Sequence, residues 1–174
     1  TKDLAPYNLL STSENYSISL HQDIYQNDRI SGELYAGLDC KDKTTSIYTG
    51  TLNRDRLRLV SAGARFSKAD KASSTAINPE ITQGIPCLGA SARDNPLASR
   101  HADTVFTKAS LTLLNKRILN GGILLTLSTK AQLASEKLPP QEGFSLGGIN
   151  SVRGYPASDF LADNAAAGSI EFQT

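Results

Sequence analysis

Few residues in this chain could do chemistry, and they are scattered. His21 and His101 are its only histidines. Neither stands in a Gly-x-Ser-x-Gly or His-Glu-x-x-His pattern, so neither a nucleophile elbow nor a zinc helix has an anchor. Both read as solvated side chains. The carboxylates Glu33, Asp39, Glu80 and Glu171 are of the type that pairs for acid–base work, but nothing in their spacing fixes a separation. Cys40 and Cys87 show no Cys-x-x-Cys and no metal spacing. Free thiols and a bridge formed in an oxidising compartment both fit. The pairs Gly121-Gly122 and Gly147-Gly148 lack the Lys-Ser/Thr and strand-to-helix context of a phosphate loop. No catalytic set, metal site or cofactor site is expected.

One stretch is more pointed: Gly143-Phe-Ser-Leu-Gly-Gly-Ile-Asn-Ser-Val-Arg-Gly-Tyr155. An apolar approach ends in Gly147 and Gly148. Val152, Arg153, Gly154 and Tyr155 then set a guanidinium between a β-branched residue and a glycine, with an aromatic ring after it. Gly154 frees the backbone, and Arg153 offers a rigid fork of five donors that stays charged. That combination suits a fixed partner in a confined place.

The elements that must position this stretch are strands. Tyr16, Ile18, Leu20 and Ile24 alternate with Ser17, Ser19 and His21. After the turn residues Gln26-Asn27-Asp28, the run from Ile30 to Cys40 alternates again. Lys41 to Arg54 is polar and reads as a loop. Arg56 to Ser67 reads as a strand with a phase flaw, Leu57 and Leu59 against Val60, Ala62, Ala64 and Phe66, which a bulge near Leu59 would reconcile. Ile77, Ile81 and Ile85 mark the next strand, with Pro79 as an irregularity. A long loop covers 87–100. Val105 to Leu113 and Ile123 to Leu133 form a hairpin about Asn120-Gly121, which tolerates the positive φ of a tight turn. A loop spans about 134–165, and a last strand carries Gly168, Ile170 and Phe172 against Ser169, Glu171 and Gln173. No helical period is present.

About seven strands therefore alternate short connections, after Ile24, Ser67 and Asn115, with long ones after Cys40, Pro86 and Leu133. Outer-membrane barrels show that asymmetry. Glu33, Asp39, Glu80, Lys108, Lys130 and Glu171 all fall opposite the apolar faces, where they would line a wet lumen. A soluble β-sandwich with one solvated face gives the same alternation. No apolar run nears the ~18 residues of a membrane helix, but a spanning strand needs only ~9–11 residues, alternately apolar. The net charge of +1 gives no electrostatic case for nucleic acid.

Residues 131 to 155, Ala-Gln-Leu-Ala-Ser-Glu-Lys-Leu-Pro-Pro-Gln-Glu-Gly-Phe-Ser-Leu-Gly-Gly-Ile-Asn-Ser-Val-Arg-Gly-Tyr, resemble the signature of two-partner secretion transporters of the TpsB, haemolysin-activator type. Thr82-Gln-Gly-Ile-Pro86 extends the resemblance more weakly. The resemblance implies an all-β, antiparallel transmembrane β-barrel of sixteen strands in the bacterial outer membrane, preceded by POTRA domains, with the Val-Arg-Gly-Tyr loop folded inside. On that reading residues 1–174 are a partial barrel without the POTRA domains and last strands. The implied partners are an unfolded exoprotein passenger in transit and outer-membrane lipid against Leu111, Leu125 and Leu127. Arg153 would meet an Asp on a strand beyond Thr174. A BamA-like assembly role shares the loop tip and is the alternative.

Overall fold

A computed structural model describes residues 9–48, 50–92, 95–147 and 160–174. Their main feature is one antiparallel sheet of seven strands in the order β1-β2-β3-β4-β5-β6-β9. The strands are β1 (Leu9–Gln26), β2 (Ile30–Ile47), β3 (Gly50–Asp70), β4 (Ser73–Gly84), β5 (Thr107–Ile118), β6 (Leu124–Ala134) and β9 (Ala165–Gln173). Two short strands inside the 135–164 loop, β7 (Phe144–Leu146) and β8 (Phe160–Ala162), pair with each other. Consecutive strands are sheet neighbours throughout, apart from the step from β6 to β9 around that small hairpin. This up-and-down order matches part of a barrel wall. A second sheet packed face to face, which a sandwich requires, does not occur among the described residues.

The turns form where the sequence supplies turn chemistry. Asn27 Oδ1 accepts from the backbone N–H of Arg29 at 2.9 Å and of Ile30 at 2.7 Å. This Asx turn joins β1 to β2. Gly121 and Gly122 adopt φ of 86° and 80° between β5 and β6, where a Cβ would be strained. Pro79 sits within β4, and the ladder to β3 is interrupted between Gly63↔Glu80 and Phe66↔Ile77. The missing N–H of proline accounts for the gap.

Two expectations need correction. Residues 41–54 are not a loop: β2 continues to Ile47, β3 begins at Gly50, and the two pair to the end. The connection after Cys40 is therefore tight. The long ones run from Gly84 to Thr107 and from Ala134 to Ala165. The β2–β3 hairpin overshoots its neighbour, because β4 ends where Gly84 meets Leu59. From there to Gly50 are nine steps of ~3.4 Å, roughly 30 Å of strand. Nor is there a bulge near Leu59. The β2–β3 register is unbroken from Ile30↔Lys68 to Thr45↔Asn53; the shifts lie at Thr45/Ser46 and, in β1, at Asp23/Tyr25.

The two faces differ in kind. Ile18, Leu20, Leu34, Val60, Phe66, Ile77, Ile81, Leu111, Leu133, Ile170 and Phe172 share one face and stay exposed, Leu20 at 75% and Phe172 at 66%. A large apolar surface of this kind needs a covering medium. The other face is polar and carries the loops.

Candidate functional site

The register places all six polar candidates on that second face. Glu33 lies opposite Arg65 and Asp39 opposite Leu59. Glu80 pairs with Ser110 and Lys108 with Thr82. Lys130 lies opposite Ala167 and Glu171 opposite Thr126. Leu111, Leu125 and Leu127 fall on the apolar face, as expected.

The two long loops fold onto the rim of this polar face and form a buried apolar cluster with β3. Leu57, Leu59, Phe106 and Leu138 are 0–1% exposed and packed together. This explains the phase flaw in β3. Leu57 and Leu59 point to the polar side because two loops cover them there. The 85–106 loop also continues the ladder on β3 past the end of β4: Ile85 N–H donates to Arg58 O at 2.9 Å, Ser91 N–H to Arg56 O at 3.0 Å and Arg54 N–H to Leu97 O at 2.8 Å. Backbone groups that would otherwise be orphaned are thereby satisfied.

The 135–164 loop is tied down on both stems. At the first stem, Ser135 N–H donates to Thr107 O at 2.9 Å, and Leu138 is fully buried. Glu142 is 6% exposed, and its carboxylate is gripped from two strands. Lys41 Nζ of β2 donates to Oε1 at 2.7 Å, and Lys108 Nζ of β5 to Oε2 at 2.6 Å. Gln132 Nε2 of β6 reaches the carbonyl oxygens of Glu142 at 3.3 Å and Asp163 at 3.1 Å. At the second stem, Asp163 Oδ1 accepts from Leu138 N–H at 3.0 Å, and Asn164 Oδ1 from Ala134 N–H at 2.6 Å. Arg100 of the neighbouring loop lies 3.5 Å from Asp163 Oδ1. Burial pushes the Glu142 carboxyl up, but the Lys108 and Lys41 ammoniums outweigh it and hold it below the usual carboxylate range.

A second polar network spans β1 to β4. Arg65 Nη1 and His21 Nδ1 reach Glu33 Oε1 at 2.7 and 2.8 Å. His21 stacks on Tyr35 with ring centroids 5.9 Å apart, and the Arg65 guanidinium carbon lies 4.6 Å from the Tyr35 centroid. Tyr35 then crosses Gly63 to donate to Glu80 Oε2 at 2.7 Å, and Thr82 donates to Glu80 Oε1 at 3.3 Å. A Cβ at Gly63 would lie 2.5 Å from Tyr35 Cζ and 2.8 Å from Pro79 O. His21 is therefore not merely solvated, as the sequence suggested; it is held at the centre of this network. Glu33 and Glu80 belong to one network but do not pair with each other.

Gly147 is described, at φ 116°, which favours glycine. Gly148, Val152, Arg153, Gly154 and Tyr155 lie outside the described residues. Cys40 and Cys87 are both free thiols. Cys40 pairs across the sheet with Arg58, and the segment carrying Cys87 pairs with the other edge of β3 through Ile85 N–H to Arg58 O. Among the described residues no three His, Cys, Asp or Glu side chains could hold a metal ion. Sequence reasoning missed Glu142, Lys41, Tyr35 and Gly63; no local signal marks them, since Glu142 and Lys41 are 101 residues apart.

No curated protein matches the chain. Among solved structures, the chain is similar to CdiB from Escherichia coli, with a TM-score of 0.81 at 22% identity, over 94% of this chain and 31% of that one. The chain thus spans about a third of that protein's length, and the likeness shows a shared fold. The profile of the haemolysin secretion/activation proteins ShlB/FhaC/HecB matches residues 1–172, and the chain belongs to that family.

Proposed function

We propose that this chain is part of the wall of an outer-membrane pore that secretes a partner exoprotein, as its family does. Further strands continue from the edges of β1 and β9 and close the barrel, because lipid tolerates no open sheet edge. One observation carries the reading: the sheet has an exposed apolar face and a polar face, and the stems 135–147 and 160–164 are docked on the polar one. In a barrel with lipid outside, those stems lie on the lumen side. The partner is an exoprotein that crosses unfolded, and the lumen offers it the carboxylates of Glu33, Asp39, Glu80 and Glu171 and the ammonium of Lys130. None of these residues implies a nucleotide or cofactor, and the step is transport, not catalysis. Arg153, in the Val-Arg-Gly-Tyr signature, is the residue the family resemblance marks for holding the loop inside.

The test uses the full-length protein. Purified in detergent and added to planar bilayers, it should form discrete conducting pores. In cells, its partner exoprotein should accumulate in the medium only when the transporter is present. A protein that fractionates into buffer without detergent, or export that continues without it, contradicts the proposal.

A further inference from the structure

We infer that Glu142 is a positioning residue, which fixes the first stem of the 135–164 loop to the barrel wall through Lys41 and Lys108. The inference rests on the transport reading for its consequence but not for its structural test.

The stem has an unusual charge arrangement. One carboxylate, almost fully buried, is shared by two ammoniums from strands that are not neighbours, β2 and β5. Between them lie β3 and β4, and Leu57 and Leu59 of β3 form the floor on which Leu138 sits. The stem thus bridges across the sheet rather than lying along one strand. Apolar contact alone orients such a bridge poorly, because the hydrophobic effect is non-directional. Two charge-assisted hydrogen bonds from opposite sides fix both its position and its rotation. Backbone bonds complete the lock: Glu142 N–H donates to Pro139 O at 2.9 Å, and Gln132 holds the Glu142 carbonyl.

Removing the carboxylate leaves two ammoniums facing each other in a largely buried site, so the bridge becomes a repulsive contact. The other titratable groups near the stem do not replace it, because Asp163 is engaged by Leu138 N–H and faces Arg100. The second stem and the Asn164 contact to Ala134 remain, so the barrel wall is not expected to lose its fold. The expected result is a stem that opens locally while the barrel persists.

Limited trypsinolysis reads this directly. Lys137 is exposed, but the next residue, Leu138, is buried, so cleavage there requires the stem to lift. In the full-length protein embedded in membranes, Glu142→Gln should leave the heat-modifiable barrel at wild-type level. It should speed cleavage after Lys137 by roughly tenfold or more, the size expected for a lost charge-assisted bond, and raise resting conductance in planar bilayers. The inversion Glu142→Lys with Lys41→Glu and Lys108→Glu places one ammonium between two carboxylates and should restore both readouts, which a merely volume-filling role would not. If Glu142→Gln fails to assemble, Lys41→Met removes one arm only and should give an intermediate cleavage rate. Unchanged cleavage and conductance in a well-folded Glu142→Gln or Lys41→Met barrel, or no rescue by the inversion, overturns the inference. Cleavage does not depend on a passenger, so an absence of export from wild type would refute the transport reading and leave this test standing.

Discussion

Gly63→Ala probes the interior network with a single added carbon. Tyr35 lies across Gly63 to reach Glu80 at 2.7 Å, and the new Cβ would stand 2.5 Å from Tyr35 Cζ and 2.8 Å from the Pro79 carbonyl oxygen. The carbonyl belongs to β4 and has little room to move, so Tyr35 must swing away. The loss is a hydrogen bond to a charged acceptor, about 1.5–3 kcal/mol, and the Arg65 stacking contact, about 0.5–1 kcal/mol at a partly exposed site. Replacing glycine in a strand returns about 0.5–1 kcal/mol of backbone entropy. The net destabilisation is about 2 kcal/mol, towards the low end because the lumen is wet. Denaturant unfolding of the full-length barrel in vesicles measures it. In a Tyr35→Ala background, only the Pro79 contact remains, so Gly63→Ala should cost at least about 1 kcal/mol less, a coupling large enough to measure by double-mutant cycle. An equal cost in both backgrounds refutes the idea that Gly63 exists to let Tyr35 across.

Other outcomes follow from the same geometry. Leu111→Arg, on the apolar face in mid-strand, should cost about 2–4 kcal/mol and deplete the folded barrel in the outer membrane. Thr112→Arg, one residue on and facing the lumen, should be tolerated; the ratio of heat-modifiable barrel in the two variants reads it. Leu138→Ala empties a fully buried site between Leu57, Leu59 and Phe106 and should destabilise the docked stem by about 2–5 kcal/mol, seen as faster proteolysis after Lys137. The Glu142 carboxyl is held low in the folded state, so its contribution is fully present above the usual carboxylate range and is lost as pH falls through the depressed value. Resting conductance should therefore rise only as pH falls below the usual carboxylate range, and Glu142→Gln should abolish that rise. Arg153→Ala should leave the barrel inserted and strongly reduce exported passenger, as judged by passenger in the medium against barrel in the outer-membrane fraction.

The strands were legible wherever one face is apolar and the other polar, because alternation is then a strong signal. That is why β5, β6 and β9 and the bounds of the 134–165 loop agree with the sequence, whereas the positive φ of the β5–β6 turn falls on Gly121 and Gly122, one residue past the Asn120-Gly121 pair. The β2–β3 extension was not legible. Beyond Cys40 both faces are polar, so the period of two vanishes although the ladder continues. Leu57 and Leu59 misled for the opposite reason. They are apolar on the polar side because loops from 85–106 and 135–164 return to cover them, a contact no local window contains. The Glu142 clamp and the Tyr35–Gly63 crossing were hidden likewise, since each joins distant segments through the sheet register.

Site-specific photo-crosslinking during export tests the central claim most directly. A photoreactive side chain replacing Lys130, on the polar face, should capture the passenger in transit through the full-length transporter, whereas one replacing Leu111, on the apolar face, should not. Capture from Leu111 and none from Lys130, with both barrels assembled and exporting, would contradict the assignment of the polar face to the secretion path.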